Sequence, residues 1–261
     1  MKRNRLLLLV LLLPLASSGQ LDESDTLQTQ VRVDLNGQYQ AGNVTLFLVR
    51  SRAELSTRLG ENLVFKTQNN YLYQEFSGRR ADEDLNSRNY LYYRPQRRWY
   101  PLAMAFLQTN YRRKLDLRFF SGAGLSWRVI DQPMGFVKLS ASLVYEHNRF
   151  NGSNFNQDRY DSQTELNFWR PTAYIQAGLR LNQGQTRISG HAYVQSGVQS
   201  TQNQRLQLEL VAEQQLWRRL SLSVHYSYWY EQLAVVGILP TDKLLSLGLR
   251  WQLIKKITHD R

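Results

Sequence analysis

Apolar and polar residues alternate with a period of two along the chain, in one stretch after another from Val31 onward. In the clearest stretch, 115–130, the two phases are Leu115, Leu117, Phe119, Ala123, Leu125, Trp127 and Val129 against Asp116, Arg118, Gly122, Gly124, Ser126 and Arg128. Because successive side chains of a β-strand point to opposite faces, this pattern predicts strands with one apolar and one polar face. No long window shows helical periodicity, so we expect an all-β chain.

The alternation predicts twelve strands, at 29–40, 43–56, 62–78, 83–94, 98–111, 113–130, 135–148, 164–182, 185–199, 203–216, 218–231 and 242–255. They are longer than the ~5–6 residues usual in soluble sheets, and about ten tilted residues cross a bilayer. Pro171 is expected either to split the eighth strand or to mark its beginning.

The connections between these strands alternate between short and long. An even number of strands places both termini on the periplasmic side, where the short turns near 57–61, 95–97, 131–134, 182–183 and Trp217 would lie. The two longest connections, Arg149–Ser162 and Glu231–Thr241, then fall on the outer side. Transmembrane barrels have this asymmetry.

Charged residues of the polar phase occur in the middle of the predicted strands, which fits a hydrated or ion-paired lumen. Aromatic residues of the apolar phase lie toward strand ends, where an interfacial girdle would sit: Trp127, Tyr145, Tyr228, Tyr230 and Trp251. An open sheet edge in hydrocarbon leaves backbone groups without hydrogen bonds, so the sheet must close. We therefore predict an antiparallel transmembrane up-and-down β-barrel over 29–255, with a periplasmic β-sandwich or lipid-carrier-like fold as the alternative.

The N-terminal residues have the layout of a secretory signal peptide. A basic region with Lys2, Arg3 and Arg5 precedes the apolar run Leu6–Leu15 and the small residues 16–19. We predict a signal peptide at 1–19, a short segment at 20–28 and a polar tail at 256–261. The absence of cysteine excludes a lipoprotein anchor and disulfides. The predicted location is the outer membrane of a Gram-negative bacterium, in contact with its lipids.

The chain is basic, with 33 Lys and Arg against 21 Asp and Glu. Without the three signal-peptide cations the charge is 30 − 21, about +9. The arginines are scattered, with no Lys/Arg block and no nucleic-acid module, so no nucleic-acid partner is expected. After the signal no window of ~18 apolar residues occurs, which excludes a transmembrane helix.

The last predicted strand is similar to the insertion signal of bacterial outer-membrane proteins through Ser246, Gly248, Trp251 and Leu253. The resemblance implies that Gly248, Trp251 and Leu253 meet the barrel-insertion machinery. Such proteins commonly end on an aromatic residue, whereas this chain continues with IKKITHDR.

Several runs resemble a bacterial family known as domain of unknown function 481. They are RFFSGAGLSWRVIDQP, VKLSASLVYEHNRF, the early AGN at 41–43 and the late GILPTDKLLSLGLRWQL. The resemblance extends from about Val31 to Leu253. It implies an outer-membrane β-barrel, some members being described as salt-stress-induced, and it implies no established chemistry.

Gly122 and Gly124 are spaced like part of a phosphate-binding loop, but alternation runs through both and no helix follows, as a dinucleotide site would need. We expect both to face the lumen, where a missing side chain permits curvature or close approach of a neighbour.

The inward phase is expected to carry the lumen-lining residues Asp116, Arg118, Arg128, Lys138, Arg180, Arg187, Arg205, Glu209, Glu213, His225 and Arg250, with Glu146 as a further inward acid. A basic lumen attracts anions, whereas an ion-paired interior fills the bore. The closed interior is the favoured interpretation, and the size of a twelve-strand barrel does not decide.

His191 and His225 also fall in the inward phase, where His225 could pair with Ser223 or Ser227 in a lipid-cleaving enzyme. No nucleophile elbow or carboxylate partner accompanies them, so we predict hydrogen-bonded lumen histidines and no catalytic residue. His147 and Glu146 have too few companions for a metal site. No cofactor and no metal are expected.

The two outer loops differ in character. NRFNGSNFNQDRYDSQ is polar, as exposed loops are, whereas Leu233–Pro240 is apolar and would plug the mouth or dock on another outer-membrane protein. The predicted function is structural or small-solute transport, through a closed barrel or an anion pore. The alternatives are an outer-membrane enzyme acting on lipid and an accessory subunit docked through Leu233–Pro240.

Overall fold

A computed structural model describes residues 29–42 and 45–255. It contains twelve strands: β1 (Thr29–Gln40), β2 (Leu46–Leu59), β3 (Leu63–Phe76), β4 (Arg79–Tyr93), β5 (Trp99–Asn110), β6 (Leu115–Gln132), β7 (Gly135–Phe150), β8 (Glu165–Leu181), β9 (Thr186–Gly197), β10 (Ser200–Gln215), β11 (Leu220–Glu231) and β12 (Thr241–Lys255). The predicted signal peptide 1–19, the segment 20–28 and the tail 256–261 lie outside the described residues.

Each strand pairs antiparallel with its neighbour in sequence, and β1 pairs with β12 to close the barrel. The predicted twelve-strand closed barrel is thus confirmed, with strand ends displaced by a few residues. The long connections β7–β8 and β11–β12 lie at the same end of the barrel, which we call the outer end.

Pro171 neither splits nor begins β8, because the strand runs unbroken from Glu165 to Leu181. The proline pairs with Leu143 of β7, and the pairing of β8 with β9 begins only at Thr172. Pro171 therefore lies at the end of the continuous β8–β9 ladder, beyond which the carbonyl of Trp169 still accepts from the N–H of Val198 at 2.9 Å. A missing N–H is tolerated at such a ladder end.

The outward phase is apolar and exposed around the barrel. Its most exposed leucines and aromatic residues include Leu125, Leu143, Trp169, Leu245 and Leu247. Such a surface is unfavourable in water and suits the hydrocarbon of a bilayer. Among the residues described, no helix has the length and hydropathy to cross a membrane.

The two glycines of β6 permit a close approach of β7. Gly122 pairs with Val144 and Gly124 with Ser142. A β-carbon at Gly122 would lie 2.6 Å from Cγ1 of Val144, and one at Gly124 would lie 2.6 Å from Cβ of Ser142. The expectation that these positions need glycine for close approach is confirmed, since any side chain would force the two strands apart.

The two outer loops pack on each other and form a cap, which we define as residues 151–164 and 232–240. Phe155 and Val235 make an isolated β-bridge and, like Leu233, are only 4% exposed. The amide side chain of Asn156 accepts from the N–H of Ala234 and donates to the carbonyl of Gln232. The apolar loop thus lies in the mouth, as the plug interpretation expected, with Leu239 still exposed.

Candidate functional site

The inner face of the barrel carries two kinds of side chain. One wall, on β3–β7, is an apolar and aromatic cluster with Tyr90, Tyr92, Tyr100, Phe106 and Phe120. The facing wall is filled by arginines and carboxylates, and three further charged residues, Arg88, Arg118 and Glu146, lie on strands of the aromatic wall itself. We call these charged residues the lumen network: Arg32, Asp34, Arg52, Glu54, Arg88, Arg118, Glu146, Arg170, Arg205, Glu209, Glu213, Glu231 and Arg250.

Glu146 of β7 is the centre of the outer layer of the network and has no exposed surface. Arg205 of β10 binds both of its oxygens, with Nη1–Oε2 at 2.7 Å and Nη2–Oε1 at 3.0 Å. Nε of Arg170 lies 3.0 Å from Oε2, and Nε of Arg118 lies 3.6 Å from Oε1. A buried carboxylate is tolerated where several cations and hydrogen bonds compensate its lost hydration, as here.

A second acid, Glu231 at the outer end of β11, joins two of these arginines. Its Oε1 accepts from Nη2 of Arg118 at 2.5 Å and from Nη2 of Arg205 at 2.8 Å. β6 and β11 are five steps apart around the barrel, so the contact with Arg118 spans the bore.

The middle layer crosses the full diameter. Nη2 of Arg88 on β4 donates to Oε1 of Glu209 on β10 at 2.5 Å. These strands are six steps apart in the ring of twelve and therefore face each other. Nη1 of Arg88 also donates to Nε2 of His191 at 2.8 Å, and Nη1 of Arg52 to Glu209 at 3.3 Å.

The inner layer is centred on Arg250 of β12. Its Nε donates to Asp34 and its Nη1 to Glu213, each at 2.5 Å. Nη2 of Arg250 lies 3.1 Å from Nε2 of His225. The network therefore continues from the capped end toward the inner end, with each acid held by at least one arginine.

The structure brings together six of the residues predicted to line the lumen: Arg118, Arg205, Glu209, Glu213, His225 and Arg250. Lys138 is 1% exposed on the inward phase, with Nζ 5.0 Å from the ring centroid of Phe136. Arg187 donates to Oε1 of Gln252, and its strand partner Arg180 is half-buried. Arg128 lies near the inner turns, where it binds Asp131 and the carbonyl of Pro95.

The prediction that Asp116 lines the lumen is wrong. The ladder shifts by one residue between Leu115 and Leu117, so both Leu115 and Arg118 are buried on the inner side. Asp116 is the extra residue of this bulge and is exposed.

Sequence reasoning missed Arg32, Asp34, Arg52, Glu54, Arg88 and Arg170, which complete the network. All of them alternate in step with the inward-facing residues of their own strands, so the same period-two pattern could have identified them. Glu146 was expected to face inward and also to stand near a loop mouth, but it is the most buried acid of the network.

The serine–histidine pair considered for catalysis does not form at Ser223. Its hydroxyl donates to the carbonyl of Gly248 at 3.2 Å, whereas His225 contacts Arg250. Within 29–42 and 45–255, no group of three or more His, Cys, Asp or Glu residues is arranged to hold a metal ion.

The chain matches the model of the family described as "Protein of unknown function, DUF481" over residues 33–252. No curated protein matches the chain.

Among solved structures, the NanC porin is similar with 11% identity and a TM-score of 0.46, over 88% of this chain and 100% of that one. The translocator domain of the autotransporter NalP from Neisseria meningitidis is similar with 12% identity and a TM-score of 0.48, over 87% and 88%. An anion-selective porin from Comamonas acidovorans is similar with 10% identity and a TM-score of 0.37, over 87% and 97%.

Proposed function

Since the chain belongs to the DUF481 family of outer-membrane β-barrels, we propose that it is a closed structural barrel whose lumen is sealed by ion pairs, rather than an open pore. The observation that carries this proposal is the Arg88–Glu209 contact, which joins facing strands at 2.5 Å. Side chains that meet across a diameter divide the bore at that level and narrow the path left for a solute.

The surroundings of this contact support a permanent seal. Arg88 is 1% exposed, and Glu209 is also held by Arg52 and by His191, whose Nε2 lies 3.6 Å away. Removing one partner of a buried pair of this kind costs about 3–5 kcal/mol, because the other charge stays buried and unpaired. A permeating ion would have to break several such contacts in sequence.

The cap supports the same proposal at the outer mouth. Its apolar cluster, which includes Phe155, Tyr160, Leu233 and Val235, covers the bore above Glu231. An anion reaching the basic lumen from outside would first have to displace this apolar layer.

The proposed location is the outer membrane of a Gram-negative bacterium. The exposed apolar wall supports contact with lipid, and Gly248 and Trp251 remain the proposed contacts for the insertion machinery, with Leu253 beside them in β12. Recovery of the protein with outer-membrane fractions, and a heat-modifiable gel band, would support this location. Recovery in the soluble periplasm would refute it.

We further propose that the protein has no catalytic role, because His225 and His191 are engaged with arginines. A partner protein docked through Leu233–Pro240 is a second candidate function. Burial of Leu233 and Val235 in the cap restricts such docking to the exposed Val236 and Leu239.

Solute uptake by proteoliposomes tests the sealed barrel. Vesicles carrying the refolded, heat-modifiable protein are transferred into small sugars and amino acids, with vesicles carrying a general porin as the positive control. We expect swelling no faster than in empty vesicles. Swelling that falls with solute size would show an open pore and contradict the proposal.

A further inference from the structure

The barrel wall is unpaired over part of one seam. β1 pairs with β2 along its whole length, and β12 pairs with β11 from Thr241 onward. Between β1 and β12, however, pairing stops at Leu35↔Leu249. Residues 36–40 of β1 and 241–248 of β12 therefore have no ladder partner across the seam, although the Asn36 side chain lies against Gly248 at its inner limit. Both segments lie at the outer end of the barrel.

This unpaired seam lies in the apolar band of the wall. Leu245 and Leu247 of β12 are 70% and 64% exposed, and Leu35 of β1 is 62% exposed. Edge N–H and C=O groups facing hydrocarbon are unfavourable unless something polar reaches them. The β1 segment NGQYQ has polar residues and a glycine, which form strands poorly, so the sequence itself weakens closure here.

Behind the seam is an internal cavity of about 120 Å³. It is lined from β1 by Asn36, from β12 by Leu244 and Ser246, and from deeper positions by Arg50, Leu72 and Trp229. The lining thus combines apolar side chains, Leu72, Leu244 and the ring of Trp229, with polar ones, a combination suited to an amphiphile.

Two donors at this cavity lack a partner. Within the described part of the chain, Arg50 makes no hydrogen bond and no ion pair within 4 Å, unlike Arg52, which binds Glu54. The indole Nε1 of Trp229 is buried and has no hydrogen-bond partner. A buried unsatisfied donor costs stability, so the Trp229 indole favours an acceptor on a ligand. The half-buried Arg50 has guanidinium donors that can bind the same group.

Three carboxylates also line the cavity, but each has donors of its own. Asp34 accepts from Arg250, and Glu209 from Arg88. Asp84 accepts from the side chain of Asn110 at 3.0 Å and the N–H of Tyr111 at 3.3 Å. Arg50 is attracted electrostatically to Asp82 and Asp84 but makes no direct hydrogen bond to either, so its donors are available to a ligand.

We propose that the β1–β12 seam is a lateral opening toward the outer half of the bilayer, and that the cavity binds the carboxylate of a single-chain fatty acid. The carboxylate accepts from Arg50 and from Trp229, while the chain lies in the seam against Leu244 and Leu247. A protein cavity of ~150 Å³ holds a benzene molecule. The observed volume therefore suits a carboxylate with its first methylenes better than a glycerophosphate head group.

Quenching of Trp229 tests this proposal. The full-length protein in phosphatidylcholine nanodiscs is titrated with 9,10-dibromostearate, whose bromines quench nearby indoles. We expect a saturable component of quenching that disappears in Trp229→Phe. Acetate alone should not compete at equal concentration, which distinguishes an amphiphile site from a free-anion site.

Charge variants test the head-group contact. Arg50→Gln should weaken binding about tenfold, since a charge-assisted hydrogen bond is lost. Arg80→Gln is the matched control, because Arg80 is an exposed arginine of β4 bound to Glu83. The methyl ester of the probe, tested on the native protein, should also bind about tenfold more weakly.

A cross-link tests the lateral route. Continuing the register of Leu35↔Leu249 would place Gln38 opposite Ser246, and the chain has no cysteine of its own. Closing the seam through Gln38→Cys and Ser246→Cys, by oxidation or a short bis-maleimide, should remove saturable quenching. The control pair Leu35→Cys and Leu249→Cys, in the paired half, should leave it unchanged.

Quenching that rises linearly with probe, or that persists in Trp229→Phe, would overturn the site. If Arg50→Gln binds the probe as tightly as the native protein does, and the native protein binds the methyl ester as tightly as the acid, the head-group assignment is overturned. If the protein with the cross-linked seam still binds the probe, the lateral route is overturned. The proposal is independent of the sealed lumen, because a conducting barrel could still bind the fatty acid and a sealed one could fail to.

Discussion

Glu146 shows how a single residue joins side chains of several strands inside the lumen. It is fully buried and lies among Arg118, Arg170 and Arg205, and it shares two of these arginines, Arg118 and Arg205, with Glu231. The alternation in β7 predicted an inward acid at this position. Its partners could not be predicted, because they come from strands up to three steps away, and the stagger of a barrel decides which side chains meet across the bore.

We predict that Glu146→Gln destabilises the barrel by about 3–5 kcal/mol, because three buried cations lose their common acid. The measurement is urea unfolding in lipid vesicles, followed by tryptophan fluorescence. Glu83→Gln is the control, since Glu83 is an exposed acid bound to the exposed Arg80, and its effect should stay within ~0.5 kcal/mol. Equal effects of the two substitutions would contradict a stabilising role for the lumen network.

At the scale of the element, two features of the strands could be read from alternation and two could not. The glycines of β6 and the inward phase of the regular strand segments could be read because neither interrupts the period of two. The bulge at Asp116 could not, because one extra residue leaves the pattern on both sides intact until the partner strand is known. The unpaired β1–β12 seam could not be predicted for a related reason. The pairing of the first strand with the last depends on how the barrel closes, and the residue pattern within a single strand carries no information about that.

Close approach of β6 and β7 leads to a prediction about Gly122. Gly122→Ala should reduce the yield of heat-modifiable, folded barrel several-fold, because the new β-carbon would meet Val144 at 2.6 Å. Gly37→Ala should fold normally, since the nearest atom to a β-carbon there is the Leu48 carbonyl oxygen at 3.8 Å. Gel shift before and after heating compares them. Normal folding of Gly122→Ala would show that the strands can separate freely.

The cap provides a matched pair of neighbouring valines. Val235 is 4% exposed in the apolar cluster, whereas Val236 is 58% exposed. Val235→Asp should release the cap, because a carboxylate cannot remain buried among Phe155 and Leu233 without a partner. Tryptic cleavage at the exposed Arg159 should then accelerate about tenfold, whereas Val236→Asp should cleave at the native rate. Identical cleavage of both variants would mean that the cap does not depend on this cluster.

At the scale of the whole molecule, the closed ring of twelve strands produces one apolar outer wall and one charged interior from a single alternating sequence. Sequence reasoning predicted the ring and left open whether its interior conducts. The answer depends on contacts between facing strands such as β4 and β10, which lie 121 positions apart at Arg88 and Glu209. The capped mouth, the proposed sealed lumen and the proposed opening in the wall together describe a barrel that communicates with lipid more than with water.

Planar-bilayer recording of the native protein tests the sealed lumen most directly. Salt screens buried ion pairs far less than exposed ones, so we expect the lumen contacts to persist at high ionic strength. Recordings at about 0.1 and 1 M KCl are therefore compared. Insertion is verified by the heat-modifiable band of the same preparation. We predict no stepwise conductance at either concentration. Stable, uniform conductance steps from the folded native barrel would contradict the account.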